Sequence, residues 1–444
     1  MASPKKELLA LDLAHLWHPY TDINAYEKGP NICFDSAEGV FLYSVDGTPY
    51  LDGISSWWAT ALGHSHPHIV EAIKEQAGIL QHSILGNLAH PQVIRLAARL
   101  ADLAPGDLNH CYFASDGSSA TEASLKMAIQ YWANLGEKGK TKFVSLEEGY
   151  HGDTLGAMGV GYVPTFHHHF QDAICKSFVA DSPHRRGNTD DELDKAYALE
   201  AFKSMEAIVQ EHHREIAGII LEPLCQGAAG IRIYHPEYLR QVRALCDEFD
   251  LLLIADEIAV GFGRTGEMFA CDVAGIVPDI LCLGKALTGG YLPMSVAIAT
   301  DRIYESFRSD AENDRTFYDG HTYCGNPITS AAALAALDIF TSEDIVEKAD
   351  PAALYLKDSF KKIADHPSVE YAKTLGTIAM CAFTAEVGGA SFAKQVTKEA
   401  MSMGLFIRPL GDVLYLWPAL VVTQEELKEM VGVLNLAIQL ASSK

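Results

Sequence analysis

Between about His66 and Ala335 the chain repeats one pattern, in which helical stretches alternate with short apolar runs. The runs fall at Cys111 to Ala114, Lys142 to Ser145, Ile216 to Leu221, Leu251 to Ala255, Ile280 to Leu283 and Val296 to Ala299. Such alternation predicts an α/β protein with a mostly parallel, mixed sheet and helices on both faces. Before it, residues Gly39 to Trp58 read as short strands around Asp46-Gly47, a turn pair whose members tolerate positive φ. After it come a helix near Ala352 to Ala364, strands near Ile378 to Phe383 and Val413 to Trp417, and a last helix. That helix opens on a capping box of Thr423 and Glu426 and buries Leu427, Met430, Val431, Leu434 and Ile438 along one face. The expected organisation is a large domain over 66–335 and a small α+β domain assembled from both ends, 1–65 and 336–444.

Composition narrows the function classes. With 34 Lys and Arg against 58 Asp and Glu, the net charge is −24, so nucleic acid and anionic membranes are poor partners. Nine cysteines without a C-x-x-C pair or regular spacing fit reduced thiols in a cytoplasm. The first twenty residues lack the apolar region and cleavage site of a signal peptide, and no apolar window approaches a membrane span. A cytoplasmic location is expected.

Three segments place chemistry at the ends of the apolar runs, where open α/β sheets bind ligands. LLLIADE ends on Asp256 and Glu257, and a carboxylate beside so much apolar chain needs a partner. The next run, ILCLGKALT, ends on Lys285 between glycines, so adjacent strands would aim an acid and an amine into one crevice. A lysine desolvated there is a Schiff-base nucleophile. Ser115-Asp116-Gly117-Ser118-Ser119 opens a helix whose first N–H groups form a phosphate cradle, and Tyr150 could stack on a flat ring. Acid, lysine, cradle and aromatic together are what pyridoxal 5'-phosphate needs.

Two motifs point elsewhere and are set aside. Gly261 to Gly266 matches G-x-G-x-x-G, but the next residues, EMFACDVAG, carry no long helical period and no acid sits about twenty residues on, against a dinucleotide site. The histidines at 64, 66 and 68 and the run His167 to His169 lack a Cys or acid at metal-site spacing; surface and packing roles are expected and no metal.

LLIADEIAVGFGRTG followed by PDILCLGKALTGG resembles the cofactor core of the class III aminotransferases, a pyridoxal phosphate family of fold type I, and the likeness runs from YSVDGTPYLDGISSWWATALGHSHP to GLFIRPLGDVLYLWPAL. The resemblance implies a transaminase in which Lys285 is the Schiff-base lysine, Asp256 partners the pyridine nitrogen, Gly117 and Ser118 bind phosphate and Tyr150 stacks on the ring. It further implies that Thr322 reaches the phosphate from the other subunit of a homodimer. Within the class, LWHPYT, SSWW and YHGDT are similar to the branch that moves the amino group of S-adenosylmethionine to 8-amino-7-oxononanoate in biotin biosynthesis. That likeness implies a substrate pocket of Tyr20, Trp57, Trp58, Asp153, Gly320, Arg408 and Tyr415, with Arg408 on the substrate carboxylate and Asp153 favouring a cationic donor. The alternative within the class is an ω-aminotransferase using lysine or another amine.

Overall fold

The structure, a computed structural model, describes residues 4–29 and 31–443; the ends of the expected small domain, 1–3 and 444, lie outside the described residues. Strands β1 (Phe34–Glu38), β2 (Phe41–Ser44) and β3 (Pro49–Asp52) form an antiparallel meander. The β2–β3 turn uses positive φ at Gly47 alone, at 80°, so Asp46 does not need the left-handed conformation that the dipeptide allows. The expected strand does not continue to Trp58. Ser55, Ser56, Trp57 and Trp58 have φ of 49, 46, 70 and 72°, a left-handed turn without glycine. Such a turn is unfavourable for L-residues and has to be held from outside. Ser55 Oγ donates to the Trp417 carbonyl at 2.7 Å and Ser56 Oγ donates to Asp52 at 2.7 Å, fixing its start.

The middle of the chain supplies β4 (Leu108–Ala114), β5 (Lys142–Leu146), β6 (Phe178–Ala180), β7 (Ile216–Leu221), a ribbon of β8 (Cys225–Gln226) and β9 (Arg232–Ile233), then β10 (Leu252–Asp256), β11 (Ile280–Leu283) and β12 (Ser295–Thr300). Seven of these build one sheet in the order β4-β12-β11-β10-β7-β5-β6. The pairs β11–β10, β10–β7, β7–β5 and β5–β6 are parallel, whereas β12 runs antiparallel to both β11 and β4. Every residue of β7, β10, β11 and β12 is buried, which is why these strands read as continuous apolar runs rather than alternating ones. The helix Gly117–Asn134 covers one face, capped by Asp116, whose side chain accepts the Ser119 N–H.

The chain end adds β13 (Val369–Leu375), β14 (Ile378–Phe383), β15 (Leu405–Phe406) and β16 (Val413–Leu416). β13, β14 and β16 form an antiparallel sheet, while β15 joins β3 in parallel and completes the N-terminal sheet. Trp417 N–H donates to Gly53 O at 2.7 Å and Leu420 N–H to Ala61 O at 2.8 Å, so the two ends of the chain are woven together. The last helix, Gln424–Ser442, carries the capping box of Thr423 and Glu426 and buries the apolar face read from the sequence. No helix among the described residues is long and apolar enough to cross a membrane.

Candidate active site

Asp256 is the last residue of β10, and Lys285 follows β11 by one turn at Gly284. Gly117 and Ser118 follow β4, Tyr150 follows β5 and Glu222 follows β7, so five strand ends converge on one crevice. It is a cavity of about 460 Å³ lined by all of these residues, with Trp58, His151 and Ile258. Adjacent carboxylates at the end of β10 part company because successive side chains leave a strand on opposite faces. Asp256 faces the crevice, while Glu257 turns away and accepts the Ala270 and Cys271 N–H groups at 2.6 and 2.7 Å.

Asp256 is buried, and both of its oxygens are engaged. His151 Nδ1 lies 2.7 Å from Oδ2, and Ile258 N–H donates to Oδ1 at 3.1 Å. No sequence pattern assigns His151 this place. Sequence reasoning also misses Glu222, although it ends an apolar run just as Asp256 does, and that signal is enough to find it. It accepts the Tyr150 N–H at 3.0 Å and the Gly227 N–H at 2.8 Å. Burial pushes its carboxyl up to about 7, with His151 pulling the other way. Lys285 sits at φ 42°, a strained conformation for a lysine, and holds its amine 4.9 Å from the Trp58 ring centroid. Burial lowers its pKa, opposed by the charges of Asp256 and Glu222.

At the other wall Asp116, Gly117 and Ser118, the start of the helix Gly117–Asn134, line the cavity, and a helix start favours an anion. Gly152, at φ 121°, crosses directly over this start: a Cβ there would come within 2.1 Å of Ser118 Oγ. The Ser118 hydroxyl in turn accepts the Asp153 N–H at 3.2 Å, tying the Tyr150 loop to the cradle.

Lys285, Trp58, Ala59 and Tyr150 also line a second, larger cavity of about 760 Å³. Its walls are Tyr20, Trp57, Phe166 and Tyr415, and Asp153 and Arg408 are among its charged groups. Tyr20 and Tyr150 both donate to Asp153 Oδ2, at 2.5 and 2.9 Å, and His167 Nε2 lies 3.2 Å from Oδ1. Burial pushes the Asp153 carboxyl up, but His167 and the two hydroxyls more than offset it and hold it below the usual range. Burial and the bond to Asp153 raise Tyr20 to about 12. Arg408 lies over the Trp57 ring at 4.3 Å, and among the described residues no carboxylate pairs with it. The two tryptophans differ: Trp57 is 41% exposed, whereas Trp58 is 4% exposed and stacks on Trp417 with centroids 4.9 Å apart.

Two expected residues, of which Thr322 is expected in the other subunit's site, lie outside these cavities. Gly320 and Thr322 are exposed and line neither cavity of this chain. The glycine run Gly261 to Gly266 also departs from a dinucleotide loop in its surroundings. The next helix, Ala270–Ala274, is only five residues long. Within the run Arg264 is buried and donates to Thr377 Oγ1 and Pro418 O, so the segment packs against the chain end instead of facing a ligand.

A strand-end acid, a buried lysine and a helix-start cradle around one crevice, on a mostly parallel sheet, define a pyridoxal phosphate enzyme of fold type I. The family model "Aminotransferase class-III" matches residues 23–438. Adenosylmethionine-8-amino-7-oxononanoate aminotransferase of Geobacter sulfurreducens is 37% identical over 435 residues, 96% of either chain. The crystal structure of adenosylmethionine-8-amino-7-oxononanoate aminotransferase from Methanocaldococcus jannaschii superposes with a TM-score of 0.92 at 36% identity, covering 98% of this chain and 99% of that one. An omega transaminase from Pseudomonas jessenii in complex with PMP has a TM-score of 0.91 at 27% identity, over 100% and 99% of the chains. The chain belongs to the class III aminotransferases and is a pyridoxal phosphate-dependent transaminase.

Proposed function

We infer that the protein transfers the amino group of S-adenosylmethionine to 8-amino-7-oxononanoate, giving 7,8-diaminononanoate for biotin synthesis. The observation that carries this reading is that Lys285 borders both cavities, so one amine serves a cofactor-sized crevice and a long aromatic-walled cavity whose lining includes a guanidinium, Arg408, with no carboxylate partner among the described residues. An acyl chain with a terminal carboxylate matches such a cavity, apolar along its walls and cationic at Arg408. Relatives of that name at 37% identity over nearly the whole chain support the same choice.

The residues present fit pyridoxal phosphate. When bound, the cofactor supplies an electron-withdrawing ring and a carbonyl carbon that carries the amino group between substrates. In this proposal Gly117 and Ser118 hold its phosphate, Tyr150 covers its ring, and Asp256, oriented by His151, keeps the ring nitrogen protonated. Lys285, whose pKa is lowered by burial, is poised to accept a proton and return it. Asp153, kept ionised by His167, Tyr20 and Tyr150, attracts the cationic donor, while Arg408 takes the acceptor's carboxylate. Trp57, Trp58, Tyr20 and Tyr415 wall the chain between them.

The proposal includes a homodimer in which Gly320 and Thr322 of each protomer complete the other's site, which accounts for their exposure in the single chain. It also includes a cytoplasmic location and the division into a large domain over 66–335 and a small one from the two ends. The test mixes holoenzyme with S-adenosylmethionine alone and follows the cofactor absorbance. Conversion to the amino form, reversed by 8-amino-7-oxononanoate, is expected. Conversion by lysine or another amine but not by S-adenosylmethionine would replace this reading with an ω-aminotransferase.

A further inference from the structure

The larger cavity is bordered by more charge than the proposed reaction uses. Besides Lys285, Asp153 and Arg408, its lining includes Glu148, Arg232 and Asp412. Asp412 is taken by Arg186, which lies outside the lining and reaches it at 2.9 Å while also holding Glu370. Arg232 and Glu148 form an ion pair with each other, and Arg232 Nε also donates to the Ala229 carbonyl at 3.1 Å. Two guanidinium groups therefore border one cavity. Among the described residues, one is neutralised by a carboxylate and the other is not.

Glu148 is held in place at a cost. Its φ of 55° is left-handed, a conformation that a glutamate adopts reluctantly, and the glycine that tolerates it best comes one position later, at Gly149. Arg232 is fixed from the opposite side by the short β9 strand and its bond to Ala229. Both partners are only partly exposed, so the pair is less screened than a surface ion pair.

We propose that Glu148 masks Arg232, leaving Arg408 as the single guanidinium open to a substrate carboxylate, and so sets the direction in which a carboxylate-bearing chain enters. Without the mask two cationic sites compete for the same carboxylate, and the chain can lie the wrong way round. Glu148 is on this account a specificity-determining residue acting through Arg232. The inference rests on the reading of Arg408 as the carboxylate receptor, and its test separates the two.

Heptanoate and its uncharged isostere heptanamide are titrated into the holoenzyme by calorimetry. Glu148→Gln is expected to tighten heptanoate by about three- to tenfold, the range for a partly exposed charge-assisted pair, and to leave heptanamide unchanged. Arg232→Gln is expected to weaken heptanoate, because it bares the Glu148 carboxylate, and the double variant is expected to return close to the parent. Should Glu148→Gln not fold, the Arg232→Gln titration decides alone. The inference is overturned if the single variants leave heptanoate affinity unchanged, or shift acid and amide equally. Arg408→Ala is the separate arm: if it leaves heptanoate affinity intact, the proposed receptor is wrong, whereas weakening there with silent Glu148 and Arg232 variants removes this inference alone.

Discussion

The two cavities that share Lys285 are built in opposite ways. The smaller crevice is made mainly from the ends of β4, β5, β7, β10 and β11 in one sheet, with Trp58, Ala59 and the loop before β12 closing it. The larger cavity gathers Tyr20, Trp57, Phe166, Arg232 and Arg408 from five separated segments, tied by a left-handed turn, aromatic contacts and isolated ion pairs. The first arrangement keeps Lys285 and Asp256 rigid, as the proposed proton transfer, common to all substrates, requires. The second can change its lining without touching the sheet.

This contrast breaks most sharply at Lys285. Lys285→Ala is expected to reduce both half-reactions by at least about 10⁴-fold for every donor and acceptor, since in the proposed reaction this one group moves the proton in each. Rapid-mixing absorbance with S-adenosylmethionine and with a simple amine checks it; loss confined to one substrate would place Lys285 in the variable cavity instead. Arg408→Ala should act oppositely, lowering kcat/KM for the carboxylate-bearing acceptor by about 10- to 100-fold while sparing carboxylate-free amines. An equal loss for both classes would remove the distinction.

The adjacent tryptophans sharpen the boundary between the regions. Trp58 stacks on Trp417 in the core, so Trp58→Ala is expected to cost about 3–5 kcal/mol of stability. Trp57 is exposed to the cavity and lies under Arg408; its replacement by Ala should cost no more than about 0.5 kcal/mol yet raise KM for the long-chain acceptor. Chemical denaturation beside steady-state kinetics separates the two effects.

The same division governs how much is legible in the sequence. Asp256 and Lys285 end apolar runs, so the strand pattern alone puts them at adjacent strand ends, and Gly117 is placed by the helix start after β4. Glu222 carries the same signal but escapes notice, because the run Ile216 to Leu221 reads only as a strand. His151 is hidden for another reason: its partner Asp256 lies 105 positions away, and no local pattern encodes that contact. The turn at Ser55 to Trp58 reads as strand because serine and tryptophan carry no sign of positive φ. Tertiary bonds to Trp417 and Asp52 impose it. The meeting of Glu148 with Arg232 is likewise a product of packing between distant segments.

The effect farthest from the chemistry concerns the acid beside Asp256. Glu257 faces away from the crevice, fully buried, and burial pushes its carboxyl up to about 7, with the Cys271 and Ala270 N–H groups acting against the shift. A folded-state pKa above the unfolded value means that between about pH 4.5 and 7 the native protein holds a proton that the unfolded chain has released. The contribution of this group to stability is therefore greatest at the acidic end of that window and falls as pH rises through it. Glu257→Gln removes the titration but offers one carbonyl oxygen to two N–H donors, so it should cost stability at acidic pH and lose less on going to pH 7 than the parent. A narrowing of the gap in Tm by about 2–4 °C across the window is expected from thermal unfolding at matched ionic strength. A gap that stays constant would assign the pH dependence to Glu222, inside the crevice, and would tie the stability of the sheet to the site itself.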